Sequence, residues 1–271
     1  NNIRFGLNSI KGISEKSLSS LKEFIDSEKP HKYDIFLAAK QAGLNIGIVS
    51  CLIQAGALSS YKTKRPRLVL EAQVFNLLTD REKRNFVKIG EKYNYDILNS
   101  IHDVVTNQKL GDDGRAIMPD KRFQTLKRNY NSYKEIYEKN RKYEDFANWY
   151  FERFLLGFSY SKDLRDVFSE NSQSLKNSLH FHSSEIGDKA KYIGFVEDSF
   201  CRKSKNGNDY LKLTINDEYG KFNALMVDGR QKTLSKFKSK SSIPEKNSIV
   251  IIFGSKGEDV LFLDNMSIVD E

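Results

Sequence analysis

Ile10-Lys11-Gly12-Ile13-Ser14 lies between two stretches of amphipathic helical spacing and carries the sharpest chemical signal in the chain. A tight turn here exposes backbone N–H groups beside a helix N-terminus, where partial positive charge suits a phosphate oxygen. Glycine fits because a Cβ would obstruct that approach and because such a turn favours positive φ. Lys11, Lys16 and the Ser14 hydroxyl add charge and a donor, and Gly43-Leu44-Asn45 offers a second hairpin of the same kind. Taken alone, Gly12 ends one helix and Ser14 caps the next. Local charge shifts the reading toward phosphate contact: residues 1–65 hold 10 basic and 5 acidic residues, against 17 and 14 in 66–160 and 17 and 17 in 161–271.

A second set of candidate contacts sits near the C-terminus. Arg202, Lys203 and Lys205 fall in a turn containing Asn206-Gly207, Tyr210 and Lys212 share the polar side of the alternating run that follows, and Phe222 opens the next run. Cations beside exposed aromatics are what a single nucleic-acid strand requires, since bases stack on the rings and phosphates meet the charge. The competing reading places Tyr210 and Phe222 inside the fold as filling. Between Arg115 and Lys142 nine basic residues outnumber three acidic ones, and Tyr130, Tyr133 and Tyr137 share a helix face, either against the protein body or along a duplex backbone. Gln73-Val74-Phe75-Asn76-Leu77-Leu78 reads as an ordinary helix stripe, with a clamp-binding peptide as the alternative.

Catalytic constellations are absent from the pattern. Asp112-Asp113 lie in a glycine-flanked loop, whereas two-metal chemistry needs carboxylates on rigid elements. His180-x-His182 lacks third and fourth ligands and reads as an alternating strand end. Cys51 belongs to an apolar helix face, and Cys51 and Cys201 form no CxxC pair, which argues against structural zinc and a disulfide scaffold and fits a reducing cytoplasm. No catalytic and no metal residue is expected in the chain.

These residues need elements to hold them. The 271 residues predict two folded units, and the longest apolar run, Ile249 to Phe253, is far short of the roughly 18–20 residues that span a bilayer. Short helices broken by glycines are expected to about Ser60, then a helix or helix pair from Arg67 to about Tyr95 with Thr79-Asp80 as a cap, a loop from Asp96 to Pro119, and a long helical stretch from Asp120 to about Arg153. The division is 1–65, a tandem hairpin region; 66–160, a helical connection; 161–188, a Ser- and Asn-rich linker with one weak helix; and 189–271, a β domain. In the last, strands at Tyr192–Arg202, Tyr210–Asn216, Phe222–Val227, Ser248–Phe253 and Val260–Ile268, with a helix at Arg230–Lys238 after the third, give the order of a five-stranded OB-fold barrel. The fold class is thus α followed by β.

Ile3 to Ile13, together with Leu52-Ile53-Gln54-Ala55-Gly56-Ala57-Leu58, resembles the tandem helix-hairpin-helix region of the alpha subunit of bacterial DNA polymerase III. Leu155 to Ser161 is similar to the segment before that family's C-terminal OB domain, and Ser204 to Tyr210 with Asp217-Glu218-Tyr219-Gly220 resembles its strand turns. The resemblance covers about half the chain in collinear order. It implies a non-catalytic, DNA-holding part of a replicative polymerase, with Lys11, Gly12, Ile13, Ser14, Lys16 and Asn45 on duplex phosphates and Arg202, Lys203, Lys205, Tyr210, Lys212 and Phe222 on single-stranded template. A palm domain with its aspartates and Mg2+ would lie upstream of Asn1, in keeping with the absence of an initial Met. Implied partners are primer-template DNA, a sliding clamp and other replisome subunits, with no membrane; no cofactor is implied in this segment. A separate nucleic-acid-binding accessory protein of replication or repair is the alternative. The chain departs from the family where Lys162-Asp163-Leu164 replaces a His-Pro pair and where Ile46-Gly47 replaces basic residues.

Overall fold

A computed structural model gives the structure of the chain and describes residues 7–58, 62–107, 114–168, 174–228, 233–239 and 242–269. The Ile3–Gly6 part of the resemblance, Gly111 to Asp113 and Arg230 lie outside the described residues. The chain divides into two compact units, residues 1–158 and 159–271.

The first unit is helical: α1 (Leu18–Asp26), α2 (Lys32–Gln41), α3 (Ile46–Gln54), α4 (Arg65–Asn76), α5 (Asp80–Lys88), α6 (Ile97–Asn107), α7 (Asp120–Asn140) and α8 (Glu144–Leu156). Capping explains several boundaries. The Asn45 side chain accepts from the Ile48 N–H at 3.0 Å at the start of α3. Thr79 and Glu82 form a reciprocal box at the start of α5. Gly157, at φ +84°, stops α8. Helix α4 buries Leu68, Leu70, Ala72, Val74 and Phe75 on several sides, the pattern of a helix surrounded by others. Its one deeply buried acid, Glu71, is held by Lys32 at 2.9 Å and Arg67 at 3.3 Å. Burial raises the Glu71 carboxyl above its usual range despite those two cations.

One hydrophobic core runs from Ile10 through Phe36, Leu52 and Phe75 to Leu155. One expectation is corrected in this unit. The expected loop from Asp96 carries α6, whose Ile97, Ile101, Val104 and Val105 are all buried at helical spacing behind the Asp96 cap. Before Gly12 the described residues hold one 3-10 turn, Leu7–Ser9.

The second unit contains α9 (Leu164–Val167), β1 (Leu175–Lys176), α10 (Ser178–Ser183), β2 (Lys189–Lys203), β3 (Asp209–Asn216), β4 (Lys221–Val227), α11 (Thr233–Lys238), β5 (Ile249–Lys256) and β6 (Val260–Ile268). The sheet closes on itself in the order β2-β3-β4-β6-β5 and back to β2, with β4 and β6 parallel and the other neighbours in the ring antiparallel. That order, with α11 between β4 and β5 along the chain, is an OB-fold barrel. Alternation builds the interior: Leu211, Leu213 and Ile215 of β3 point inward against Ala224 and Met226 of β4 and Val250 and Ile252 of β5.

Strand β2 serves two neighbours, pairing with β5 through Lys189 to Phe195 and with β3 from Phe195 to Lys203. Where it passes from one to the other, a Cβ on Gly194 would come within 2.2 Å of the Ile215 methyl Cγ2, so only glycine fits the corner. Residues 161–188 hold two short helices and a short strand among those described. Strand β1 pairs with β2, and Phe181 of α10 enters the barrel core, its ring stacked on Phe222 at 4.4 Å between centroids. His180 and His182 stand on α10 rather than at a strand end.

Candidate nucleic-acid interface

The outer face of the barrel is built by register. Phe200 of β2 stands opposite Lys212 of β3, Lys212 opposite Leu225 of β4, and Leu225 opposite Phe262 of β6. One row of side chains therefore crosses four strands, about 14 Å at the usual inter-strand spacing. The adjoining row is Arg202, Tyr210 and Val227. Phe262 is 48% exposed, and Phe200, Tyr210, Lys212 and Leu225 are half-buried. The Arg202 guanidinium lies 4.8 Å from the Phe200 centroid and the Lys212 ammonium 6.0 Å from it. Two cations thus lie near an aromatic ring that stays partly exposed to solvent.

The β2–β3 turn extends this face. Ser204 organises it: its N–H donates to Asn208 O at 2.8 Å, its carbonyl accepts from Gly207 N at 2.9 Å and its hydroxyl oxygen accepts from Asn208 N at 3.2 Å. Lys203 and Lys205 project into solvent on either side of Ser204. Of the six residues expected here, Arg202, Lys203, Lys205, Tyr210 and Lys212 come together. Phe222 does not: it is 4% exposed and fills the barrel, because its position on β4 pairs with the inward-facing Ile215. Phe200 and Phe262 are the members that sequence reasoning missed.

The residues expected on duplex phosphate are placed differently. Gly12 is exposed with φ +95°, and a Cβ there would meet Cys51 Sγ at 3.3 Å. Burial pushes the Cys51 thiol up. The flanking N–H groups are engaged inside the unit, Lys11 N donating to Leu155 O at 2.9 Å and Ile13 N to Ile10 O at 3.1 Å, with Ile13 itself buried. The Lys11 ammonium sits 4.0 Å over the Phe154 ring. Ser14 starts the next turn without a side-chain cap, its hydroxyl 3.1 Å from that of Ser17, and Lys16 is exposed. The second hairpin is more regular: Gly43, at φ +77°, turns α2 into α3, and Asn45 caps α3, whose first turn carries no acid.

Other candidates resolve as structure. Val74 and Phe75 are fully buried in α4, so the Gln73–Leu78 stripe faces the core and no clamp peptide is presented there. Tyr130 is buried and Tyr133 and Tyr137 lean on the same core. His180 Nδ1 is 3.2 Å from the Tyr192 hydroxyl and His182 Nε2 is 3.2 Å from Lys221 O.

No helix among the described residues is long and apolar enough to cross a membrane. No family model and no curated protein matches the chain. Among solved structures, the chain is similar to yeast Stn1 and Ten1 (13% identity, TM-score 0.26, covering 31% of this chain and 43% of that one). It is also similar to the mitochondrial single-stranded DNA binding protein Rim1 of S. cerevisiae (14% identity, TM-score 0.26, covering 31% and 97%). A third is the telomere capping protein Ten1 of Saccharomyces pombe (15% identity, TM-score 0.24, covering 36% and 81%).

Proposed function

We propose that this chain is a nucleic-acid-binding accessory protein whose barrel takes a single strand across the outer face of β2, β3, β4 and β6. The observation that carries the reading is the row Phe200, Lys212, Leu225 and Phe262, with Arg202 and Tyr210 beside it. Bases stack on Phe200 and Tyr210, and Arg202, Lys203, Lys205 and Lys212 meet the phosphates. Residues 161–271 carry equal basic and acidic counts, so the contact is local to this face and modest in affinity. The test is fluorescence anisotropy of a labelled oligo-dT with the full chain. Phe200→Ala combined with Tyr210→Ala weakens binding, and undiminished binding contradicts the assignment.

A second reading, the DNA-holding part of a polymerase III alpha-like polymerase, is favoured by the α2–Gly43–α3 hairpin and the excess of basic residues over 1–65. It requires duplex binding that depends on salt and falls when Lys11 and Lys16 are replaced by alanine; primer-template binding indifferent to both removes it.

A further inference from the structure

A cavity of about 550 Å³ opens between α2, α3, α4 and α5, within the range of small-molecule sites. Phe36, Leu44, Val49, Phe75 and Leu78 give its wall an apolar part, beside polar Asn45, Asn76 and Thr79. Into it faces Lys83, a residue only 6% exposed. Among the described residues the Lys83 ammonium has no hydrogen-bond acceptor and no carboxylate within ion-pair distance, and it lies 5.7 Å from the Phe75 ring centre. The other two charged side chains on the walls, Lys40 and Asp80, neutralise each other in an ion pair. Burial, with Lys40 adding to it, lowers the Lys83 pKa from the usual lysine value. The Lys83 stem is buried while its ammonium, at the cavity, has no acid opposite it, so an anion entering the cavity would meet an unpaired cation. The α3 N-terminus opens onto the same cavity at Asn45 and Ile46. It is capped by a neutral side chain and has no acid in its first turn, so its partial positive charge is unspent. Helix α5 differs, having Asp80 and Glu82 in its own first turn.

We propose that this cavity binds a phosphomonoester with an apolar or aromatic body, the phosphate held between the Lys83 ammonium and the α3 N-terminus and the body against Phe36, Phe75 and Leu78. A free nucleotide and the 5′-phosphorylated end of a strand both supply that chemistry. The site is independent of the barrel face, because its residues all belong to the helical unit.

The experiment uses the full chain and measures acylation of Lys83 by mass spectrometry, together with calorimetric binding of dTMP, phenyl phosphate and inorganic phosphate. The expected result is that dTMP and phenyl phosphate protect Lys83 and bind more tightly than inorganic phosphate. Lys83→Met lowers their affinity at least about tenfold while leaving the chain folded, since it removes a charge-assisted contact and keeps the apolar stem. Protection of Lys83 by a 5′-phosphorylated oligonucleotide, but not by its 5′-hydroxyl counterpart, assigns the strand end; protection by dTMP alone assigns the free ligand. Absence of protection and binding at millimolar ligand, or equal affinity in Lys83→Met, overturns the proposal. Should Lys83→Met fail to fold, the acylation pattern of the unsubstituted chain still decides.

Discussion

The Arg202 guanidinium lies 4.8 Å from the centre of the Phe200 ring, on the face where Tyr210 stands opposite Arg202 across the β2–β3 ladder. The Phe200 ring is half-buried, so part of it is open to a ligand. Phe200→Ala should therefore weaken oligo-dT binding by about 1–3 kcal/mol, the usual worth of one stacked base. Because the ring is only half-buried, the melting temperature should move little. Anisotropy and a thermal melt on the same preparation check both halves; a large fall in melting temperature with intact binding would assign Phe200 to the core instead.

Charge on this face should show itself through salt. Replacing Arg202, Lys203, Lys205 and Lys212 by alanine should flatten the dependence of log K on log salt concentration by about 0.7 for each single-strand phosphate that these side chains neutralise. Binding measured across a salt series gives the slope directly, and a slope identical to that of the unsubstituted chain would mean these side chains do not meet phosphate.

Phe222 should behave in the opposite way. Buried and stacked on Phe181 at 4.4 Å, it anchors α10 to the barrel. Phe222→Ala should cost about 3–5 kcal/mol in stability, as large-to-small core changes do, with the folded fraction binding oligonucleotide normally. Denaturant unfolding measures the first and anisotropy at a stabilising temperature the second.

Asp217 carries an equally specific expectation. Its carboxylate, 5% exposed, accepts from the Ser178 N–H at 2.5 Å and hydroxyl at 2.6 Å, from Tyr219 N at 2.9 Å and from Gly220 N at 3.2 Å. Asp217→Ala strips buried donors of their acceptor and should cost at least about 2 kcal/mol. Hydrogen exchange should locate the loosening at α10 and the β3–β4 turn; unchanged protection at Ser178 would contradict it.

The helical unit should be sensitive to alkali. Burial raises Tyr33, Tyr93, Tyr130 and Tyr137 from 10.0 to about 12, with Asp103 adding to the shift at Tyr93 and Glu144 at Tyr137. Between pH 10 and 12 the unfolded chain loses protons that the folded one keeps, so stability falls as pH rises through that window and is intact below it. Ultraviolet titration of tyrosinate should show these residues ionising together with unfolding; ionisation at the ordinary tyrosine value in a chain that stays folded would be the contrary result.

Much of the barrel was legible because alternation is strict: Leu211, Leu213 and Ile215 announce a strand with one buried side, and each of the five expected strands is present within a few residues. Phe200 was hidden by a bulge. Val196 pairs with Ile215 and Asp198 with Thr214, so Glu197 is an extra residue and the inward side of the strand passes from Tyr192 and Val196 to Ser199 and Cys201. Unbroken alternation would have placed Phe200 inside. Phe222 was misplaced for a related reason, since only its register against Ile215 says which side it faces. Helix α6 was masked by the turn residues that follow it, although its buried positions keep helical spacing. In the Ser- and Asn-rich segment one weak helix was legible, but not that Phe181 of α10 is buried in the barrel core. Lys83 lay in a charged run, Arg81-Glu82-Lys83-Arg84, and only the tertiary fold shows that it alone of the two lysines on the cavity wall lacks an acid.

The most direct measurement is photocrosslinking of the full chain to a 5-iodouracil oligonucleotide, with the crosslinked peptides identified by mass spectrometry. Adducts on Phe200 and Tyr210, abolished under competition by unlabelled single strand, are the predicted result. Adducts confined to residues 7–158, or none at all on the strands β2 and β3, would contradict a barrel that receives the strand.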